Sequence, residues 1–292
     1  MACKPSVGYV YGLKKNEYME TTNQQLGFIR SENDMTGLFR DWYEQVKHEN
    51  VEGDISFVCD GVMYKRNKDE LTTEMEWKDS PKRIAFLLKD QNQNGSSWVD
   101  DTRTWLVCRD DNWNVESKFL RNLANALWGI AVSSPQYLPK PESVKQCRGD
   151  ITECFRTTPF AFVECKKQGG ISKLSNKALK TYLGKDEYKE FLYREFDILN
   201  ANIFVCTNPL IYEFVQDYLT KRKCPGTQMT RVNSALEKEK LEASVTLHLP
   251  SKSIVLCSYH PSAIMSYENF YKGVVTHYQA FVQSPYYDEF FN

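Results

Sequence analysis

Residues 84–92 read IAFLLKDQN, five apolar residues followed directly by polar ones. A continuous apolar run of this length is typical of a parallel strand that is buried on both faces of its sheet. Three later runs have the same character: FAFV at 160–163, IFVC at 203–206 and IVLC at 254–257. Because helix-like segments separate these runs, the sequence predicts an α/β fold, a three-layer sandwich with a central four-stranded parallel sheet.

The segments between the apolar runs carry the spacing and the end signals of helices. Apolar residues recur on one face from about Val115 to Gly129, which predicts a helix that packs on the sheet. Asn208 and Pro209 follow the third run and suit the cap and the first position of a helix. A last helix is predicted from about Tyr267 to Gln283.

The first 80 residues are predicted to form an extension that packs on the main domain, residues 81–292. An amphipathic stripe predicts a helix over residues 34–51. Two β-type runs then flank Asp60-Gly61, a dipeptide that favours a β-hairpin. The extension is therefore expected to be a helix followed by a hairpin.

Composition and charge exclude several classes of protein. The 292 residues include 16 Phe, 17 Tyr and 6 Trp, far more buriable surface than a disordered chain has. The 37 basic residues balance 38 acidic ones, so no global positive field attracts nucleic acid or an anionic membrane. The sequence has no Gly-x-Gly-x-x-Gly, phosphate-loop or Gly-x-Ser-x-Gly motif, which argues against dinucleotide, P-loop and α/β-hydrolase enzymes.

The nine cysteines and the N-terminal residues bear on location. The sequence has no Cys-x-x-Cys pair and no zinc-type spacing of Cys and His, so reduced thiols in a cytoplasmic protein are expected. The first residues lack the apolar core of a signal peptide, and no run reaches the ~18 apolar residues of a membrane span. No metal, cofactor or membrane is predicted as a partner.

Reactive side chains follow the predicted strands, at the edge where α/β sheets bind ligands. Asp90 comes just after the first strand, where a partly desolvated carboxylate suits a general base or an electrostatic stabiliser. His260 follows the last strand in the run SYHPS at 258–262. The alternatives are an Asx-type turn at Asp90 and a loop histidine that caps a backbone carbonyl at His260.

The order of these strand ends resembles that of the uracil-DNA glycosylase superfamily over about residues 80–285. In that family the first strand ends in a short motif of the type Gly-Gln-Asp-Pro-Tyr, and the run LKDQN at 88–92 stands at this place without the Gly and the Pro. The family's late His-Pro-Ser matches residues 260–262. Its middle strand ends in an Asn that reads the base, whereas the run VECKK at 163–167 has Glu164 there.

The resemblance implies a role for each matching residue. Asp90 would orient a water molecule and stabilise the cationic sugar, and His260 would donate a hydrogen bond to the departing base. Glu164 would contact the base edge, and as an ionised, acceptor-only group it would discriminate against uracil. The further implied contacts are Asn92 and Ser262 to the substrate, Trp98 or Trp105 stacked on the base, and Ile264 and Met265 as a wedge in the vacated DNA stack.

Lysines next to the expected pocket are predicted to contact DNA phosphates. The predicted contacts are Lys166, Lys167 and Lys173, which flank the glycine pair at 169–170. The alternative is a solvated helix face, because lysines are mostly exposed in any protein.

The sequence thus predicts a DNA glycosylase that hydrolyses the N-glycosidic bond of a flipped base, non-uracil or damaged, with DNA as its partner. Two alternatives stay open. One is a catalytically inactive protein of glycosylase fold that binds nucleic acid or a partner protein. The other is an α/β enzyme that acts on a nucleotide or nucleoside.

Overall fold

A computed structural model describes residues 35–49, 55–65, 68, 70–92, 98–104, 117–170, 174–232 and 244–291. The strands are β1 (Ser56–Cys59), β2 (Gly61–Val62), β3 (Ile84–Asn92), β4 (Trp98–Asp101), β5 (Ala161–Gly170), β6 (Ile203–Cys206), β7 (Thr230–Val232), β8 (Ser244–His248) and β9 (Ser253–Cys257). The helices are α1 (Met35–Glu49), α2 (Glu70–Asp79), α3 (Lys118–Val132), α4 (Ser143–Gln146), α5 (Arg148–Thr157), α6 (Asn176–Leu183), α7 (Asp186–Leu199), α8 (Pro209–Asp217), α9 (Tyr267–Tyr271), α10 (His277–Val282) and α11 (Tyr287–Phe291). A π-helical turn (Tyr218–Lys223) extends α8, and a second (Lys272–Thr276) joins α9 to α10.

The main sheet has seven strands within the described residues, in the spatial order β2-β5-β3-β6-β9-β8-β7. The four predicted apolar runs form its centre, since β3 pairs in parallel with both β5 and β6, and β6 pairs in parallel with β9. The outer pairs, β2 with β5, β8 with β9 and β7 with β8, are antiparallel. The four predicted strands are thus parallel neighbours, but antiparallel strands extend the sheet on both sides, so the whole sheet is mixed rather than four-stranded and parallel. β8 and β9 are joined by a short turn, too short for the crossover that a parallel pair needs.

Helices cover both faces of this sheet, so the predicted α/β class is confirmed. Successive residues of β3 point to opposite faces, as in any strand. Leu87 packs in a core with α1, α7 and α8, whereas Phe86 and Leu88 pack in a second core with α3 and α5. The side of the sheet covered by α3 is called the α3 face below.

The predicted helix of the extension is present as α1, but the predicted hairpin at Asp60-Gly61 is wrong. β1 pairs in parallel with β4 in a separate two-stranded sheet, whereas β2 pairs with β5 in the main sheet. Gly61 joins them with a φ of 129°, a conformation that other residues rarely adopt. The dipeptide therefore redirects the chain from one sheet to another.

Two central strands are longer than their apolar runs indicate. β3 continues to Asn92 and β5 to Gly170, and these two residues face each other in the register. β6, by contrast, pairs with β3 only as far as Leu87. Asp90 and Glu164 therefore lie within strands rather than in the loops predicted to follow them.

The predicted helices are found with small shifts at their ends. α3 begins at Lys118 rather than near Val115, because the Ser117 side chain accepts a hydrogen bond from the first turn. α8 begins at Pro209 with Asn208 as its cap, as predicted. Among the described helices, none has both the length and the apolar character needed to cross a membrane. The described cysteines are free thiols: Cys59, Cys147, Cys154, Cys165, Cys206, Cys224 and Cys257.

Candidate functional site

The candidate site lies at the carboxyl ends of β3 and β6, where the chain changes direction across the sheet. From β3 the chain moves to β5 on one side and then returns past β3 to β6 on the other. Open α/β sheets bind ligands in the crevice at such a point. The pairing of β3 with β6 ends at Leu87, whose carbonyl accepts hydrogen bonds from the N–H and the hydroxyl of Thr207. Beyond this point β3 continues along β5 and carries Asp90.

Asp90 and Glu164 lie on adjacent strands and on the α3 face. Leu88 faces Glu164, and Asp90 faces Lys166, so these side chains form two successive rows on one side of the sheet. Burial raises the pKa of Asp90, and the ammonium groups of Lys166 and Lys89 counteract part of this rise. Asp90 is therefore a half-buried carboxyl group beside a cation, an environment that suits a general base.

His260 stands in a tight turn that follows β9. The Ser262 N–H donates a hydrogen bond of 3.1 Å to Nδ1 of His260, so Nε2 carries the proton of the neutral ring. Burial lowers the pKa of His260, and the positive charge of Lys89 lowers it further. At pH 7 the ring is therefore neutral and presents an Nε2–H donor.

Helix α3 holds this turn in place. Nδ2 of Asn122, a buried residue of α3, donates a hydrogen bond of 2.7 Å to the carbonyl of Pro261. Sequence reasoning missed Asn122, although a polar residue within the apolar stripe of a helix is a signal for such a contact. A buried amide of this kind is retained where it satisfies a backbone group.

Aromatic rings join His260 to the strand that carries Glu164. The centroid of the Phe119 ring lies 5.8 Å from that of the His260 imidazole and 5.9 Å from that of the Phe162 ring. Phe162 precedes Glu164 by two positions on β5, so both side chains point to the α3 face. The rings of Phe119 and Phe162 thus connect His260 to the strand face on which Glu164 lies.

Glu164 is 4% exposed, and its environment opposes a negative charge. Its N–H donates a hydrogen bond of 2.7 Å to Oδ2 of Asp60, and its own Oε2 has no hydrogen-bond partner among the described residues. Burial raises the pKa of Glu164 well above its usual value, the charges of Asp60 and Asp90 raise it further, and Lys167 offsets part of the rise. Burial and the two nearby carboxyl groups thus oppose the ionised state that the sequence prediction assumed for Glu164.

Lys167 is not available to a DNA phosphate, and this corrects the prediction made for it. Its side chain is 0% exposed, with Nζ 2.6 Å from Oδ1 of Asp60 and 2.9 Å from Oε2 of Glu195. The rings of Phe39 and Trp42 in α1 lie within 5.3 Å of the ammonium. Burial disfavours the charge, but Asp60 and Glu195 outweigh it and raise the pKa of Lys167. Neither Asp60 nor Glu195 belongs to a sequence motif that would have predicted its ion pair with Lys167.

The remaining predicted residues fall into three groups. Ser262 and Ile264 are exposed, Ile264 completely, and Met265 is half-buried against the core of the α3 face. Lys166 is half-buried beside Asp90, and its Nζ donates a hydrogen bond to the carbonyl of Gln168. Trp105 and Lys173 lie outside the described residues, as do the side chains of Asn92 and Trp98.

The arrangement can carry out hydrogen-bond and proton-transfer chemistry at one edge of the sheet. It combines the Asp90 carboxyl group, the Nε2–H of His260 and the buried carboxyl group of Glu164. In the described part of the chain, no three side chains of His, Cys, Asp or Glu are grouped so that they could hold a metal ion.

Comparisons of the chain with protein-family models and with curated proteins find no match.

Proposed function

We propose that this protein hydrolyses the N-glycosidic bond of a nucleobase that is flipped out of DNA. The observation that carries the proposal is the occurrence of a half-buried carboxyl group, Asp90, and a neutral imidazole with a fixed Nε2–H, His260, at the carboxyl edge of one sheet. The resemblance of these strand ends to those of the uracil-DNA glycosylase superfamily supports the same reaction. So does the parallel centre of the sheet, although the whole sheet is mixed.

In this reaction the bond between the sugar C1′ and the base nitrogen breaks, and its electron pair leaves with the base. The Nε2–H of His260 donates a hydrogen bond to the base as negative charge develops there. Asp90 stabilises the positive charge on the sugar and accepts a proton from the water molecule that adds to C1′. The base anion takes up a proton from solvent, and the products are a free base and an abasic site.

The turn after β9 supports a nucleic-acid partner. Ile264 is 102% exposed and lies four residues after His260. An exposed apolar side chain beside a base-binding site suits the wedge that occupies the position a flipped base leaves in the stack. Such a wedge offsets part of the few kcal/mol that extrusion of a base costs.

The proposal is tested by base excision from oligonucleotides. Single- and double-stranded oligonucleotides that carry uracil, other deaminated bases or damaged purines are incubated with the protein, and abasic sites are detected by alkaline cleavage. We expect excision of at least one base, and we expect Asp90→Asn and His260→Gln to slow it by about 10²–10⁴-fold. Asp186→Asn, at an exposed position of α7, is the matched control and should keep the wild-type rate.

The absence of abasic sites in every oligonucleotide would overturn the proposal. If the protein then still binds the oligonucleotides, it is a non-catalytic nucleic-acid-binding protein. The exposed side chain of Ile264 supports this alternative as well.

A further inference from the structure

The Glu164 carboxyl group is built into the sheet without the partners that a buried carboxylate needs. It is 4% exposed, it stands on the α3 face, and Oε2 has no hydrogen-bond partner among the described residues. A buried carboxylate normally has a cation or several N–H donors around it. The carboxyl group therefore combines deep burial with an open hydrogen-bonding position, which points to a ligand.

The charged groups that face Glu164 come from three elements. Asp90 lies on β3 one row further along, opposite Lys166, and Asp60 lies in the segment between β1 and β2, where it accepts the Glu164 N–H. Lys167 is on the same strand, but alternation places it on the opposite face, where Asp60 and Glu195 hold its ammonium. Burial and the two carboxyl groups oppose the ionisation of Glu164, and Lys167, which is already paired, offsets only part of this effect. Lys166, two positions further along β5, lies on the α3 face beside Asp90.

We infer that Glu164 reads the base as a neutral acid, and that its proton determines which base edge the site accepts. This inference rests on the proposed function. A neutral carboxyl group offers one O–H donor and one carbonyl acceptor, whereas a carboxylate offers acceptors alone. The acid pairs with a lactam edge, a carbonyl oxygen next to a ring N–H. The carboxylate instead requires an edge with two donors, such as the N1–H and the amino group of guanine.

The consequence is a specificity that depends on pH. While Glu164 keeps its proton, both atoms of a lactam edge find a complementary partner. When the proton is lost, the carbonyl of the lactam meets a like acceptor in a buried site, and an unpaired buried group weakens binding. The protonation state of a single side chain thus selects between two kinds of base edge.

The first experiment measures the protonation of Glu164 without any ligand. The folded state keeps a proton that the unfolded state releases above about pH 4.5, so Glu164 stabilises the fold less as pH rises towards its raised folded pKa. Urea unfolding of the wild type, Glu164→Gln and the exposed control Glu153→Gln is therefore compared between pH 5 and 8. We expect the unfolding constant of the wild type to rise relative to that of Glu164→Gln by up to about tenfold per pH unit. Glu153→Gln should follow the wild type.

If the unfolding constants of the wild type and of Glu164→Gln change with pH in parallel, the inference is overturned whatever the function is. If Glu164→Gln does not fold, infrared spectra of the wild type take its place. Because burial also raises the pKa of Glu195, the spectrum of Glu195→Gln is recorded as well. The expected result is a carbonyl band of a protonated carboxyl group that persists at pH 7 in Glu195→Gln, and a spectrum of that variant without such a band overturns the inference.

The second experiment measures the binding of free bases at pH 6 and pH 8.5. The probes are uracil and N3-methyluracil, which lacks the ring N–H. We expect the wild type to bind uracil about 10–100-fold more tightly than N3-methyluracil at pH 6 and to lose part of this preference at pH 8.5. Glu164→Gln keeps a donor and an acceptor at every pH, so its preference should not change with pH.

The two experiments separate the two proposals. Uracil binding that strengthens with pH, or that disappears in Glu164→Gln, overturns the inference but leaves glycosylase activity standing. No binding of any base, together with no excision, overturns the proposed function and with it the base-reading role of Glu164.

Discussion

Lys167 shows how burial and charge oppose each other at a single residue. A fully buried ammonium group is tolerated only when its neighbours replace the water that it has lost. Two carboxyl groups and two aromatic faces take this role here. Burial raises the pKa of Glu195, and the charge of Asp60 raises it further. The charge of Lys167 and its hydrogen bond to Glu195 offset part of this rise.

Replacement of Lys167 by Met is therefore expected to lower the free energy of unfolding by about 3–5 kcal/mol, because it leaves buried carboxyl groups without their cation. Lys177→Met, at an exposed position of α6, is the control and should change stability by less than about 0.5 kcal/mol. Urea unfolding at pH 7 measures both variants. If Lys167→Met and the wild type had equal free energies of unfolding, the ion pairs of Lys167 with Asp60 and Glu195 would contribute nothing to stability.

At this scale the sequence predicted the chemistry of side chains better than their surroundings. Asp90 and His260 were found because reactive groups follow apolar runs. Lys166 and Lys167 look alike in the sequence, and only the continuation of β5 to Gly170 places them on opposite faces. The charge state of Glu164 likewise depends on Asp60, which is distant in the chain.

The strands show which features of an element are readable from sequence and which are not. The apolar runs predicted the central segments of β3, β5, β6 and β9, because burial on both faces requires continuous apolar residues. The ends of β3 and β5 were missed, since their last residues are polar and lie where the neighbouring strands have stopped. The hairpin prediction failed because β1 and β2 found partners elsewhere in the chain.

Two glycines in helices test how closely the elements of the α3 face pack. A Cβ atom at Gly129 in α3 would lie 2.6 Å from Cγ2 of Val275 and 2.9 Å from Oη of Tyr271. We expect Gly129→Ala to destabilise the protein by about 1–3 kcal/mol through overpacking. A Cβ atom at Gly149 in α5 would meet nothing within 4 Å.

Gly149→Ala is thus the control with the opposite sign, and it should stabilise the protein by up to about 1 kcal/mol through helix propensity. Thermal unfolding of the two variants beside the wild type measures the difference. A neutral Gly129→Ala would show that the turn between α9 and α10 yields to the added methyl group.

On the scale of the whole molecule, the N-terminal elements share the core of the sheet. Phe39, Trp42 and Phe57 are fully buried in the cluster that also contains Leu87 and Phe196. The sequence could predict that α1 is amphipathic but not what it covers, because pairing between distant segments leaves no local pattern. The order of the central strands could not be predicted from the sequence for the same reason.

A fragment of residues 81–292 is therefore expected to lose cooperative unfolding, since it exposes the aromatic cluster and leaves Lys167 without Asp60. Circular dichroism during urea titration compares the fragment with the full chain. A fragment that unfolds in a transition as sharp and as late as that of the full chain would show that the first 80 residues are a separable extension.

The contact between Asp60 and Lys167 also has a consequence for folding during synthesis on the ribosome. The two residues are 107 positions apart in the chain. At the usual speed of translation, roughly 5–20 residues per second, Asp60 is made about 5–20 s before its cation. During that interval the nascent N-terminal part exposes apolar surface that only later segments cover. We therefore expect chaperones to bind the nascent chain mainly in this period.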